Sequence, residues 1–450
     1  MDLNAIFKAY DVRGTVPDQL DDEAARRIGA AFAAFAASER IAVGRDVRTS
    51  SPVLAAAFIE GILSQGVAVD DIGLVTTDMV YFAAGELDEP GAMITASHNP
   101  KGYNGIKLCL AAAAPVGVDT GLIEVKSLAE ADLPPALERG EVRQVDILGR
   151  YIDHLLGVVG ADSIGKIRVA VDGGNGVAGV AIPQLFERIP AELIPLFLEP
   201  DGTFPNHHPD PLRPENLRDL ESLIEREKPD LGVAFDGDAD RAFFIDDLGN
   251  PLPGSTITGM VAAWFLGREP GATIVHNLIC SKAVAETIEE RGGVHVRTRV
   301  GHSYIKTVMK ETGAVFGGEH SGHYYFRDNY RADSGILALL VLLRLVSESG
   351  QRLSEIRADF ERYAQSGEIN LSVSDPSAAI EAVATAFDTE RQDRLDGLTV
   401  DMGDRWFNLR PSNTEPVLRL NVEAPDDPGV AALVEQVGNV VEGVPRAGAA

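Results

Sequence analysis

Residues 231–245 read Leu-Gly-Val-Ala-Phe-Asp-Gly-Asp-Ala-Asp-Arg-Ala-Phe-Phe-Ile, an apolar run, a loop with three carboxylates and a second apolar run. Short apolar segments either side of a tight polar loop predict buried strands over 231–235 and 242–245. In the loop, Gly237 and Ala239 let the backbone curl so that Asp236, Asp238 and Asp240 converge. Like charges so close raise one another's pKa and repel unless a cation compensates them. With no Cys or His in the loop, the all-oxygen donor set selects a hard ion, and Mg²⁺ suits it better than Zn²⁺. A solvated acidic turn is the competing reading, and the strongly apolar flanks argue against it.

Outward from this loop, strand, turn and helix alternate. A first unit has strand 41–43, the polar loop 44–51, helix 52–64 and strands near Val67 and Ala92. A second runs from strand 167–171 through a glycine-rich turn at 172–176 to the aspartate loop. A third has strand 273–275, helix 281–291, strand 294–297 and helix 334–347. Such alternation predicts α/β layers with mixed, largely parallel sheets. From about Ser366 the pattern changes to strand, helix, strand, strand, helix, a smaller α+β domain joined through residues 362–368. A chain of 450 residues is too long for one ordinary core, and the expected divisions are 1–150, 151–250, 251–365 and 366–450.

Composition narrows the function classes. At 45% hydrophobic and 24% charged residues the chain is an ordinary globular protein. The net charge of -28 argues against nucleic acid or an anionic membrane surface as partner. An acidic protein that binds an anionic substrate must gather its positive charge locally. The apolar run 336–343 stops at Arg344, too short to span a bilayer, and predicts a buried helix. The amino terminus lacks the pattern of a signal peptide. Cys109 and Cys280 are expected as buried thiols in a reducing cytoplasm.

Several loops carry chemistry. Thr95-Ala96-Ser97-His98-Asn99-Pro100 puts a hydroxyl nucleophile on a turn directly after the strand candidate 92–94. Gly318-Glu319-His320-Ser321-Gly322-His323 places a carboxylate and a hydroxyl two residues apart, on one side of an extended segment, where they could hold adjacent sugar hydroxyls. Arg410-Pro411-Ser412-Asn413-Thr414-Glu415-Pro416, with Arg419 beyond, has the composition of a phosphate cradle. Gly174, Gly176 and Gly179 form a GxGxxG pattern with Glu199 beyond it, which raises a dinucleotide-binding alternative. That signal is weak, because glycine-rich strand-to-helix turns also arise from tight packing.

These loops together resemble the α-D-phosphohexomutase family, in particular its phosphomannomutase/phosphoglucomutase group. The resemblance spans nearly the whole chain and rests on Tyr10-Asp11-Val12-Arg13-Gly14, the serine loop with Asn104-Gly105-Ile106-Lys107 after it, the aspartate loop, Gly301-His302-Ser303, the loop from Glu319 to His323, and the segment from Arg410 to Pro416. It implies three related mixed α/β domains and a smaller C-terminal α+β domain around a central active-site cleft. It also implies a monomer or homodimer in the cytoplasm acting on small sugar phosphates.

The resemblance further implies that Ser97 is a phosphoserine, with Mg²⁺ held by Asp236, Asp238, Asp240 and a serine phosphate oxygen. Arg13 and Arg241 would flank the transferring phosphate. Lys107 and His302 would exchange a proton with the sugar hydroxyl, Lys107 with a lowered pKa. Glu319 and Ser321 would read sugar hydroxyls, with Tyr10 and His323 also lining the substrate site. Arg410, Ser412, Asn413, Thr414 and Arg419 would anchor the unreacting phosphate, with Arg410 also acting as a latch. A hexose 1,6-bisphosphate serves as intermediate and activator. One departure is Ile279, where some members carry a cleft lysine; Lys282 is expected to be only a helix-start residue. Phosphoglucosamine mutase, whose sugar loop usually has glutamine where His320 stands, is the main alternative, and a non-catalytic sugar-phosphate sensor a remoter one.

Overall fold

The computed structural model describes residues 3–388, 390–412 and 417–443. The first sheet holds β1 (Val12–Thr15), β2 (Arg40–Arg45), β3 (Ala68–Leu74), β4 (Gly91–Ile94), β5 (Tyr103–Leu110), β6 (Ala114–Pro115) and β7 (Val142–Gln144) in the order β1-β5-β4-β2-β3-β7, with β6 beside β5. The second holds β8 (Arg168–Asp172), β9 (Glu192–Leu196), β10 (Leu231–Phe235) and β11 (Ala242–Ile245), ordered β11-β10-β8-β9. The third holds β12 (Thr273–Asn277), β13 (Val294–Thr298), β14 (Phe316–Gly318) and β15 (Tyr324–Phe326), ordered β13-β12-β14-β15.

These three sheets share one device. In each, a run of parallel strands ends where the chain turns back into an antiparallel neighbour, β4 into β5, β10 into β11 and β14 into β15, and in the first sheet β1 pairs antiparallel beyond β5. Each reversal leaves a loop at the carboxyl end of a parallel strand, where an open α/β sheet offers its side chains to a ligand. Those three loops carry Ser97, the aspartates and Glu319. The strands flanking the aspartate loop have the bounds expected from their apolar runs.

The fourth sheet is antiparallel throughout, ordered β16-β20-β19-β18-β17, with β16 (Ala364–Ser372), β17 (Arg391–Asp393), β18 (Leu398–Asp401), β19 (Trp406–Pro411) and β20 (Val417–Ala424). Two expectations need correction here. Between the helices Pro376–Ala386 and Asp427–Glu442 lie four strands rather than two, because β17 is a polar three-residue strand with no apolar signature. The expected connection over 362–368 is largely β16, which pairs with β20 through a bulge between Gln365 and Glu368, where Gly367 has φ +65°.

Core packing divides the molecule. One large cluster joins Val75, Met79 and Phe82 from behind the first sheet to the interiors of the second and third. Its spine is the helix Gly335–Ser349, whose residues 336–343 are all 0% exposed. Fully burying each such aliphatic side chain stabilises by about 1.5–3 kcal/mol. Ser334 caps this helix by accepting from the Leu337 amide at 3.0 Å. The fourth sheet has a cluster of its own, around Phe407, Leu409, Leu420 and Leu433.

A buried polar contact ties the first three units together. Asp78 accepts from Thr76 on its own loop, from Tyr151 Oη at 2.5 Å and from Ser334 Oγ at 2.5 Å. Burial pushes its carboxyl up to about 6. Both cysteines are free and buried, and among the described residues no helix is long and apolar enough to cross a membrane.

Candidate active site

After β4 the chain turns at Thr95, whose hydroxyl accepts from the Ser97 amide at 2.9 Å, and Ser97 adopts φ +49°. A left-handed conformation is uncommon for a residue with a Cβ and has to be held by its surroundings. Ser97 is buried rather than facing an open cleft. Its Oγ donates to Asp236 Oδ2 at 2.6 Å, lies 3.1 Å from His98 Nδ1 and accepts from Arg241 Nη2 at 3.3 Å. Burial, Arg241 and Arg13 hold the His98 imidazole well below its ordinary pKa, so it stays neutral.

The three aspartates converge as their spacing predicts, with one oxygen of each within 4.8 Å of the others. Arg241 Nε donates to Asp236 at 2.9 Å. Asp238 Oδ2 accepts from Thr77 at 2.7 Å and from Lys107 at 2.7 Å, and Lys107 also reaches Asp240 Oδ2 at 2.5 Å. The opposite oxygens, Asp238 Oδ1 and Asp240 Oδ1, are buried without a hydrogen-bond partner. Buried polar atoms are rarely left so, and two orphaned carboxylate oxygens in an all-oxygen triad fit a hard divalent cation. Burial first, then Asp240 and Asp238, raise the Asp236 carboxyl to about 7, with Arg241 pulling the other way.

Lys107 departs from its expected direction as the aspartates stand here: burial alone would lower its pKa, but Asp238 and Asp240, whose charge a bound cation would offset, outweigh it and raise the ammonium above its ordinary value.

Close backbone approach assembles the loops. A Cβ on Gly237 would lie 2.5 Å from the Ser97 carbonyl oxygen, and one on Gly176 would lie 2.7 Å from the Gly237 oxygen. The GxGxxG pattern thus serves packing behind the aspartate loop, consistent with the weakness of the dinucleotide signal. The Thr77 amide donates to Asp238 O at 3.0 Å, and the Ala242 amide to Gly322 O at 3.2 Å, so backbone bonds tie the aspartate loop to the start of the helix Thr77–Glu86 and to the Glu319 loop.

The Glu319 loop is a turn rather than an extended segment: the Gly322 amide donates to Glu319 O at 3.1 Å and Gly322 has φ +86°. Glu319 and Ser321 therefore do not share one side of a strand. Glu319 accepts from Tyr325 Oη at 2.5 Å, Asn277 Nδ2 at 3.2 Å and the Gly301 amide at 3.3 Å. Ser321 Oγ lies 3.2 Å from His323 Nδ1, and His323 Nε2 lies 3.7 Å from Asp240 and 3.9 Å from Asp333. Asp333 in turn pairs with the buried Lys306 at 2.8 Å.

Tyr10 donates to Val300 O at 3.1 Å and packs on Gly301, and burial pushes its hydroxyl up to about 12. Arg13 bonds Asn99 and Asp11 beside the serine loop. On the fourth sheet Arg410 and Arg419 face each other across β19 and β20 and share one carboxylate, Glu368, at 2.8 and 3.3 Å. The Ser412 amide donates to Val417 O at 2.9 Å. His302 opens the helix His302–Thr312; its side chain, and Asn413 and Thr414, lie outside the described residues. Lys282 begins its helix and donates to Gly403 O, while Ile279 packs beside Trp406 and His320, so the two part company. His320 is engaged with Ser255 at 3.0 Å.

Sequence reading missed Arg48, Lys306 and Asp333. The signal for Arg48 was its place beside Asp46 in a polar loop after a strand; the partner of Lys306 lies 27 residues away in sequence, beyond any local pattern.

The chain matches the family models for phosphoglucomutase/phosphomannomutase, alpha/beta/alpha domains I, II and III, over residues 4–131, 149–249 and 253–363, and the C-terminal domain model over 368–440. It is 40% identical over 447 residues to a protein of Xanthomonas campestris pv. campestris named for phosphohexose mutases, covering 97% of this chain and 99% of the relative. It is 42% identical over 433 residues to a phosphomannomutase of Salmonella montevideo, covering 94% and 95%. A crystal structure of a phosphoglucomutase/phosphomannomutase family protein from Burkholderia thailandensis superimposes with a TM-score of 0.90 at 32% identity, covering 98% of each chain. With likeness running from end to end in both sequence and fold, the chain belongs to the phosphoglucomutase/phosphomannomutase family.

Proposed function

We propose that this phosphohexomutase interconverts mannose 1-phosphate and mannose 6-phosphate, and glucose phosphates as well, through a phosphoserine at Ser97 and a hexose 1,6-bisphosphate that also acts as activator. The observation that carries the reading is the Ser97 hydroxyl, 2.6 Å from Asp236 within the aspartate triad and 3.3 Å from the Arg241 guanidinium. Phosphoryl transfer asks the protein chiefly for in-line placement and for neutralising charge on the moving group. In the forward step the bond between Ser97 Oγ and phosphorus breaks while one forms to a sugar hydroxyl oxygen, whose proton leaves to a base. The second step reverses this with the other phosphate of the bisphosphate.

Asp236, Asp238 and Asp240 would hold Mg²⁺, which supplies positive charge to the phosphoryl oxygens when bound. Arg241 and Arg13 add charge from the side of the loop. Lys107 and His302 are the candidates to exchange the proton with the sugar hydroxyl, and Lys107, paired with Asp238 and Asp240, also brings positive charge to the site. Glu319, Ser321, His323 and Tyr10 line the sugar, and Arg410, Ser412, Asn413, Thr414 and Arg419 grip the distal phosphate. The reading divides the chain into domains at 1–150, 151–250, 251–365 and 366–450. The two buried, unlinked cysteines support a cytoplasmic setting, and a monomer, or a homodimer with a whole site in each copy, suffices.

The test is ³¹P NMR of the protein with Mg²⁺ and a trace of hexose 1,6-bisphosphate, given mannose 1-phosphate or glucose 1-phosphate. Appearance of the 6-phosphate, absent with Ser97→Ala, is the expected outcome. Release of inorganic phosphate alone, or turnover by glucosamine 1-phosphate only, would overturn it.

A further inference from the structure

The most heavily committed side chain near Ser97 is one that never touches the reacting atoms. Arg48, 1% exposed, lies beneath the serine loop. Its Nη2 donates to Ser97 O at 2.7 Å and Asn99 O at 2.6 Å, and its Nη1 to Pro100 O at 2.9 Å and Tyr103 O at 3.0 Å. Asp46 sets the guanidinium from the other side, with Oδ2 3.2 Å from Nε and Oδ1 accepting from the Arg48 amide at 2.9 Å. The Phe204 ring covers it at 5.5 Å, and Arg48 forms a backbone bridge to Gly202, both from the unit that carries the aspartate loop.

One planar fork thus satisfies four carbonyls of a single loop, a geometry an ammonium cannot reproduce. The Ser97 carbonyl is held between this fork and the Gly237 backbone, with Ser97 at φ +49°. Reversing that φ would turn the carbonyl off Arg48 and swing Oγ away from Asp236. We propose that Arg48 is a positioning residue for phosphoryl transfer: it holds Ser97 in its left-handed conformation and so aims Oγ at the metal-binding aspartates in both half-reactions. The proposal rests on Ser97 being the phosphoryl carrier.

Arg48→Lys keeps the charge and removes the fork. Because misplacement of a reacting atom by about 1 Å costs about 10²-fold in rate, kcat should fall by about that factor while KM for the sugar phosphate stays within about twofold. Phosphoryl uptake at Ser97 from glucose 1,6-bisphosphate with Mg²⁺, followed by intact-protein mass spectrometry, should slow by a similar factor. Equal uptake rates and kcat in the wild type and the folded variant would overturn the inference, as would a loss confined to KM. No uptake by the wild type would instead remove the phosphoserine reading beneath it. If Arg48→Lys does not fold, Asp46→Asn is the second variant: it removes the negative charge 3.2 Å from Nε and should lower kcat several-fold at unchanged KM, and wild-type kcat in it would equally overturn the assignment.

Discussion

The serine-aspartate face and the paired arginines of the fourth sheet hold charge in opposite ways. Around Ser97, the aspartates are buried and engaged from more than one sheet: Lys107 from β5 on Asp238 and Asp240, Thr77 on Asp238, Arg241 on Asp236 and Ser97. Among the described residues, Arg410 and Arg419 share Glu368, a carboxylate one-third exposed, on the same sheet. The first arrangement is built before any ligand arrives, as low-reorganisation electrostatics requires. The second has a counter-ion that an incoming phosphate can replace. The difference suggests a division of labour, with reaction geometry fixed by shared burial and recognition left to a replaceable ion pair.

Asp238→Asn should break the first half most severely. It removes a charge from the proposed metal site and leaves Lys107 with one carboxylate, so kcat should drop by about 10³-fold or more, with Mg²⁺ affinity measured by titration calorimetry falling in parallel. Retained Mg²⁺ affinity would assign the cation elsewhere.

Arg410→Lys should act on the second half and mainly on KM. Loss of a bidentate, charge-assisted grip costs about 1.5–3 kcal/mol, a rise in KM of about 10- to 100-fold in steady-state kinetics, with a smaller change in kcat. A loss confined to kcat would mean that the two regions are not separable.

The smallest effect is expected behind the serine face, at Asp78. Its folded pKa of about 6 lies above the ordinary aspartate value, so the folded state holds the extra proton. Asp78 therefore contributes most to stability below about pH 4, and that contribution is lost as pH rises through about 6. Asp78→Asn removes this dependence. The melting temperature of the transition that unfolds the first three sheets, wild type minus variant, should fall by on the order of 2 °C between pH 4 and 7, while the ratio of their activities at pH 7 changes little. A difference independent of pH would show that Asp78 does not titrate in this window.

Much of the scaffold was legible because it rests on short-range signals. The apolar runs 231–235 and 242–245 became β10 and β11 with the expected bounds, and the apolar run 336–343 became the fully buried stretch of the helix Gly335–Ser349. The chemistry-bearing loops could be picked out for the same reason, since carboxylates, hydroxyls and glycines cluster within each. What was not legible depends on partners remote in sequence. The raised pKa of Lys107 comes from carboxylates 131 and 133 residues away. The turn at Gly322 is closed by two backbone bonds, from the Gly322 amide to Glu319 O and from the Glu319 amide to His323 O, which takes Glu319 and Ser321 out of the geometry that their spacing suggested. β17 is a polar edge strand of three residues, which no apolar periodicity announces. Arg48 looked like one charge among several in a surface loop, since only the fold wraps four carbonyls around it.

The separate core behind the fourth sheet has a consequence for how the molecule comes apart. A segment that buries its own apolar cluster can open as a cooperative unit without dissolving its neighbours, whereas the first sheet, which has a cluster around Phe32 and Phe58 on one face, is bound through its other face to the second and third sheets by a continuous cluster that runs through the helix Gly335–Ser349. Heat or denaturant should therefore meet two melting units of unequal size rather than four, and a single transition temperature would describe neither.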